Sequence, residues 1–508
     1  MDGLWPVLNQ NPERVILVDG PQRISCAQWL AQAGELGSAL RRQGLPEGAA
    51  IAFQLPNWYE ACVIHLAALL YGFRLVPLLP MYRQTELSLI LSECQVQAVF
   101  IPQEFRQQSY TDLLAQVSWP QRSAQRIYVV RGRDDRYGAY ADLLGGPTLA
   151  PTPALLDEVK LVLYTSGSTG KPKGVMHTHR SIDSLIEFTA EFWGLSPADV
   201  ALVPSPVGHI GGSMYAFDFP LRLGVRALLM ERWNADQAMD LIEAESVSFC
   251  AGATPFLADL LAAAERRASA LPSLRRFICG GASVPPALIE RASAQFTQCT
   301  VSRAYGSTEL PVICAGVRSR ADAYHGAHTD GQCGADVQLL DDAGVPVDPG
   351  EVGEVVARAP RLFAGYVDPQ DNDGAFTADG YFRMGDLARW VDGRFLEIKG
   401  RKKELIIRLG ENLSPLEIEN VMLQHPAVRQ VAVVGIADER TGEAALAFVV
   451  VHPGASLSLK ELQSYWADKG LARQKCPEYL RVVDSLPTNT IGKVLKRELQ
   501  RIGLHGEL

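Results

Sequence analysis

The chain of 508 residues is 47% hydrophobic and 21% charged, the balance of an ordinary globular protein, and is longer than one core usually supports. Its net charge of −9 argues against general binding to nucleic acid or anionic membranes, both of which need a basic footprint. The nine cysteines include no C-x-x-C pair, which suits reduced thiols in a cytoplasm and points to neither a disulfide framework nor a zinc site.

The chain starts Met1-Asp2-Gly3, acidic where a signal peptide carries positive charge, so export is not expected and the location reads as cytoplasmic. The longest apolar stretch, residues 66–80, contains Tyr71, Gly72 and Arg74 and falls short of the ~20 residues that span a bilayer. It predicts a core helix followed by a strand over 75–79, with no membrane segment. Short apolar runs at 50–54, 98–101, 126–130 and 277–279 alternate with helical segments, which predicts α/β structure with largely parallel sheets up to about residue 330. From 331 to about 400 the texture turns strand-like and turn-rich, as in Asp341-Asp-Ala-Gly344 and Val391-Asp-Gly-Arg-Phe-Leu396, predicting an antiparallel or barrel-like element. Beyond Gly400-Arg401-Lys402-Lys403 a compact α+β unit is expected, with helices over 415–423 and 459–469 and strands over 428–434 and 444–451.

The segment Tyr164-Thr-Ser-Gly-Ser-Thr-Gly-Lys-Pro-Lys-Gly-Val175 reads as a phosphate-handling loop between two strands. Gly167, Gly170 and Gly174 are expected to take φ > 0 and bring backbone N–H groups to an anion. Thr165, Ser166, Ser168 and Thr169 supply hydroxyls, and Lys171 and Lys173 supply charge. The spacing is not Walker A, because Pro172 stands where the second glycine would be. His177 with His179, and His325 with His328, resemble metal pairs in spacing, yet no cysteine or carboxylate cluster completes a tetrahedral set.

Four further clusters follow in order: Tyr305-Gly-Ser-Thr-Glu309, Tyr381-Phe-Arg-Met-Gly-Asp386, Gly400-Arg-Lys-Lys-Glu-Leu-Ile-Ile407 and Leu486-Pro-Thr-Asn-Thr-Ile-Gly-Lys493. With the loop they resemble the adenylate-forming superfamily of acyl-CoA synthetases, peptide-synthetase adenylation domains and luciferases, from about residue 10 to the C-terminus. The resemblance implies a large N-terminal domain, 1–400, of two α/β sheet subdomains plus a β-barrel-like subdomain, binding ATP and acid. It also implies a small mobile α+β lid, 401–508, hinged near Lys403. The reaction it implies is activation of a carboxylic acid by ATP as acyl-AMP with pyrophosphate release, then acyl transfer to the thiol of CoA. Transfer to an amino acid amine, as in amide ligases resembling coronafacic acid ligase, or to a carrier-protein thiol stays open, as does a non-enzymatic nucleotide sensor.

Residue by residue, the resemblance gives Lys493 the bridge between substrate carboxylate and α-phosphate, and Glu309 a Mg2+. Thr308 touches phosphate, and Tyr305, beside Gly306, lies against adenine. Asp386 accepts from the ribose hydroxyls with Arg401 assisting, and Gly281 and Ala282 form the strand-end turn beside the nucleotide. His209 lines the acyl pocket. Gly410 belongs to the acceptor route, although Arg408-Leu-Gly-Glu-Asn412 has Leu409 where similar CoA ligases carry glycine. The stretches Pro80-Met-Tyr-Arg-Gln-Thr-Glu-Leu87, Phe363-Ala-Gly-Tyr366 and Lys469-Gly-Leu-Ala-Arg-Gln-Lys-Cys-Pro477 look most like ligases for alicyclic acids such as cyclohexanecarboxylate, with aryl-acid enzymes next. The glycines of His209-Ile-Gly-Gly-Ser-Met214 are expected to leave room for a compact ring. Oligomeric state is not legible.

Overall fold

The computed structural model describes residues 6–152, 155–165, 171–281, 284–409, 411–438, 440–488 and 493–505. Two large sheets are built first. One has seven strands in the order Thr300–Ala304, Arg276–Gly280, Phe249–Gly252, Val200–Val203, Arg226–Leu229, Val15–Asp19 and Gln22–Ser25, parallel except for the last. The other has eight, and its parallel core of Val159–Thr165, Arg74–Pro77, Ala50–Phe53, Val96–Pro102 and Ile127–Val130 is extended by an antiparallel hairpin partner, Lys173–Thr178.

Strand alternation explains how the sheets stack. Ile51, Phe53, Leu161 and Leu163 join Ala201 and Val203 of the other sheet in one central core. Their neighbours Ala50, Ala52, Val162 and Tyr164 face a second core, and Val200 and Leu202 face a third. A period of two on strands buried on both faces produces such apolar runs. Helices Cys26–Arg42, Tyr59–Tyr71 and His179–Trp193, with the π-helical segment Met214–Leu223, fill the layer between the sheets.

Helix Tyr59–Tyr71 begins before the expected apolar run and ends at Gly72, whose φ of 66° suits glycine. Helix His179–Trp193 starts where Thr178 accepts from the Ser181 N–H and ends at Gly194, φ 64°. The region from 331 to 401 is a five-stranded antiparallel sheet ordered Gly331–Gln332, Phe395–Arg401, Phe382–Val391, Gly353–Arg358 and Asp336–Leu340.

The smaller C-terminal domain is built on the ribbon Val428–Asp438 and Gly442–Val451, longer than the expected 428–434 and 444–451. Ala445, Ala447 and Val449 pack with Ile418, Met422 and Trp466 on one face, and Leu446, Phe448 and Val450 pack with Leu486 and Leu499 on the other. A single-turn 3-10 segment, Lys402–Glu404, joins this unit to the strand Phe395–Arg401.

Candidate active site

The hairpin Val159–Thr165 and Lys173–Thr178 sets Thr165 directly opposite Lys173. Ser166, Gly167, Ser168, Thr169 and Gly170 lie outside the described residues. Gly174 corrects an expectation: it sits in the antiparallel ladder, not at φ > 0. A Cβ there would come within 2.8 Å of both Tyr164 and Val367, so close packing excludes a side chain. Lys171 is 50% exposed and pairs with Glu93 at 3.0 Å and Asp368 at 3.5 Å. Lys173 pairs with Asp371 at 3.0 Å while its ammonium stands 4.9 Å from the Tyr366 ring centre.

Tyr366 links this hairpin to the next element. It pairs with Val175, and its hydroxyl donates to Glu309 Oε1 at 2.8 Å. The Tyr305–Glu309 loop is held from three further directions. His177 Nε2 lies 2.7 Å from the Thr308 carbonyl; a carbonyl only accepts, so Nε2 carries the proton. Phe363 N–H donates to the Glu309 carbonyl, and Arg361 donates to the carbonyls of Pro311 and Val312 at 3.2 and 3.1 Å while lying 4.0 Å over the Phe188 ring. Burial pushes His177 down to about 4 against a partial pull from Thr308 and Glu309, and pushes Arg361 down to about 10. Gly306 lies where a Cβ would meet the Val312 nitrogen at 2.5 Å, and Gly281, at the end of strand Arg276–Gly280, has φ +85° with open space beside it. Ala282 is outside the described residues.

The third group gathers around Asp386, 5% exposed. Tyr305 Oη donates to Asp386 Oδ2 at 2.7 Å, and Arg401 Nε lies 3.2 Å from Oδ1. Burial raises the Asp386 pKa and Arg401, Tyr305 and Lys493 pull it back. Burial likewise works against the Arg401 charge, yet Asp386 and Glu404 more than offset it. Lys493, from the C-terminal domain, lies in the same cluster; burial and then Arg401 lower its pKa, opposed by Glu404 and Asp386. Lys496 next to it is paired with Glu419 at 2.7 Å and Glu404 at 3.4 Å. Tyr366 thus joins the hairpin to Glu309 and Tyr305 joins the same loop to Asp386, so the three groups are linked through one loop.

His209 follows strand Val200–Val203 and heads the turn Ile210–Ser213, where its Nδ1 accepts from the Gly211 N–H at 3.4 Å. Burial takes it down to about 4, so it is neutral at pH 7. Gly212 departs from expectation: a Cβ would stand 1.9 Å from the Pro206 carbonyl oxygen, so this glycine makes room for the chain itself and not for a ligand. Lys403 is exposed within the connecting turn. Gly410 is outside the described residues, and Leu409 beside it stands 67% exposed at φ +50°, on the hairpin of Ile406–Arg408 and Glu411–Leu413.

His177 and His179 go separate ways, the first to Thr308 and the second toward Lys160 and Arg222. His325 bonds Asp392 and His328 bonds Glu290. Three residues at the site were missed by sequence reasoning: His177 as a loop tether, Arg361 and Tyr366. His177 and Thr308 are 131 residues apart and Tyr366 and Glu309 are 57 apart, so no local pattern marks either contact.

Residues 4–367 match the AMP-binding enzyme family, and residues 417–493 match the AMP-binding enzyme C-terminal domain. Among curated relatives, a medium-chain fatty-acid–CoA ligase of Escherichia coli is 34% identical over 96% of this chain and 88% of that one. A salicylyl-CoA synthase / salicylate adenylyltransferase of a Streptomyces species is 30% identical over 96% and 91%. Among solved structures, ATP-bound MatB from Rhodopseudomonas palustris superposes with TM-score 0.87 at 26% identity, covering 100% of this chain and 99% of that one. The amide bond synthetase McbA from Marinactinospora thermotolerans superposes with TM-score 0.86 at 26% identity, covering 97% and 98%.

Proposed function

The chain belongs to the AMP-binding enzyme family, and we propose that it activates a carboxylic acid with ATP as an acyl-adenylate and passes the acyl group to the thiol of CoA. The observation that carries this reading is the cluster of Tyr305, Asp386 and Arg401, whose charges act on the buried Lys493 of the C-terminal domain. A carboxylate approaching an anionic α-phosphate meets a repulsion of roughly 4 kcal/mol at about 4 Å and an effective dielectric of about 20. Lys493, held in place before substrate arrives, offsets that repulsion as the carboxylate oxygen attacks phosphorus and pyrophosphate leaves.

Around it the other residues bind and orient. Asp386, with both oxygens already engaged by Tyr305 and Arg401, presents acceptors to the ribose hydroxyls, and the Tyr305 ring lies against adenine. Thr308 and the loop from Thr165 through Ser166, Gly167, Ser168, Thr169 and Gly170 to Lys171 and Lys173 hold the phosphates. Gly281 and Ala282 let the nucleotide pass close to backbone. Glu309 suits Mg2+, which takes one or two carboxylates plus phosphate oxygens: its Oε1 accepts from Tyr366, which fixes the carboxylate beside the hairpin. Bound there, the ion would supply charge neutralisation on the phosphates.

Neutral His209 fits the wall of the acid pocket, where a charged imidazole would trap the carboxylate short of phosphorus. The relatives act on medium-chain and aryl acids by name, and a medium-chain, aryl or alicyclic acid is the proposed substrate class. We place the domain boundary at residues 400 and 401 and the hinge at Lys403, because Lys493 must vacate its cluster before an acceptor enters. Gly410 then joins the acceptor route. A cytoplasmic location fits the nine unpaired thiols.

One observation favours a second acceptor. Leu409 occupies a left-handed conformation that suits glycine and adds an exposed side chain beside Gly410, and the match to an amide bond synthetase covers nearly the whole chain. Transfer to an amine is therefore the alternative. Incubating the enzyme with ATP and a panel of acids, with CoA, cysteamine or amino acids as acceptor, decides between them by the product masses. Acyl-CoA is the expected product; amides formed in preference to thioesters would replace it, and absence of pyrophosphate exchange with every acid would overturn the activation itself.

A further inference from the structure

Cys314 and Cys333, 19 positions apart in a sequence without a C-x-x-C pair, are opposed on adjacent antiparallel segments. Ala315 N–H donates to the Gln332 carbonyl at 3.0 Å and Gly334 N–H to the Ile313 carbonyl at 2.9 Å. Bonds on both flanks and none between the two residues make this a non-hydrogen-bonded pair. Cα atoms approach to about 4.5 Å at such a pair and the side chains lie closest. A disulfide accepts Cα separations of about 4.4–6.8 Å, so the backbone is already within range. Burial pushes the Cys314 thiol well above its ordinary range. Eight of the nine cysteines are buried and Cys333 alone is partly open, so an oxidant entering from solvent meets Cys333 first.

We propose that Cys314 and Cys333 are an oxidation-sensitive pair that closes a disulfide when the enzyme meets a peroxide. The Cys333 thiolate attacks one oxygen of hydrogen peroxide; the O–O bond breaks, leaving a sulfenic acid on Cys333 and a hydroxide that takes up the thiol proton as water. The Cys314 sulfur then attacks the Cys333 sulfur, the S–O bond breaks, and the hydroxide leaves as water with the Cys314 proton. In balance, two thiols and one peroxide become one disulfide and two waters. A dithiol reductant reverses the bond.

The closure bears on nucleotide binding, a consequence that rests on the reading of Tyr305 above. Tyr305 and Cys314 exchange both backbone hydrogen bonds at 3.0 Å, and Tyr305, Cys314 and Cys333 pack in one apolar cluster. Drawing the sulfurs to about 2.05 Å turns both side chains and repacks the cluster against which the Tyr305 ring rests. The Tyr305–Asp386 hydrogen bond is lost with it, and ATP affinity falls about tenfold, the worth of one hydrogen bond to a charged group.

The test treats the full-length enzyme with hydrogen peroxide, maps its peptides by mass spectrometry with and without dithiothreitol, and measures ATP affinity by calorimetry. A Cys314–Cys333 linked peptide is expected, with weaker ATP binding that dithiothreitol restores. Cys333→Ser keeps the untreated affinity and loses the peroxide response, and Cys314→Ala stops at a Cys333 sulfenic acid that a dimedone probe captures. Oxidation of Cys333 without the linked peptide overturns the pair, and a linked peptide with unchanged ATP affinity overturns the coupling. An untreated enzyme that binds no ATP refutes the nucleotide reading instead, while the linked peptide still decides the pair.

Discussion

Two sets of cations flank the site and differ in how they are held. Lys171 and Lys173 are ion-paired to Glu93, Asp368 and Asp371 on the open side of the hairpin, where Lys171 is half exposed. Arg401 and Lys493 surround Asp386, a carboxylate almost removed from water. Solvent screens the Lys171 pairs, so they are exchanged for another anion at little cost. Arg401 is itself 45% exposed, so the difference lies in the carboxylate: removing a cation beside Asp386 leaves a buried negative charge uncompensated, which costs more than breaking an exposed pair. The hairpin is therefore built to adapt to a ligand and the Asp386 cluster is built in advance of it.

The sharpest way to break this contrast is Lys493→Ala. Adenylate formation, read by pyrophosphate exchange, is expected to fall on the order of 100- to 1000-fold, with ATP binding nearly intact. Equal loss of both would put Lys493 in nucleotide binding. Asp386→Asn comes next, with a rise in KM for ATP of about 10- to 100-fold from losing charged hydrogen-bond partners; an unchanged KM would remove Asp386 from the ribose.

The pH profile tests the same cluster without a deletion. The Lys493 pKa lies below the ordinary 10.5 because of burial and Arg401. Its charge, and the adenylation rate with it, is lost as pH rises through that lowered value. The alkaline limb should begin earlier than for a solvated lysine and shift upward in Lys493→Arg; a limb that stays put belongs to another group. Lys403→Pro, in the connecting turn, is expected to slow acyl transfer more than adenylation in single-turnover assays, and equal slowing would argue against rotation of the small domain. The mildest change is Lys171→Gln: only a few-fold rise in KM for ATP and a urea midpoint close to that of the parent.

The motifs of the candidate site were legible because each is a short continuous segment, and Tyr305, Asp386 and Arg401 converge, with Lys493 in their field, although they are spread over nearly 190 positions. The alternating apolar runs likewise marked the parallel sheets. What escaped was support from elsewhere in the chain. His177, which completes no metal set in the sequence, holds the Thr308 carbonyl through its ring. Gly174 looked like a phosphate-loop hinge and is a packing position against Tyr164 and Val367. Gly212 looked like space for a ring and is filled by Pro206.

By itself the sequence determined the α/β class, the order of the motif segments and the chemistry they resemble, because periodicity and local turns are encoded within a few residues of one another. Only the tertiary structure decided that Arg361 and Tyr366 brace the Tyr305–Glu309 loop, that Lys171 and Lys173 rest on carboxylates, and that Cys314 faces Cys333. Those contacts join segments whose separation along the chain carries no pattern, and burial and strand register alone bring them together.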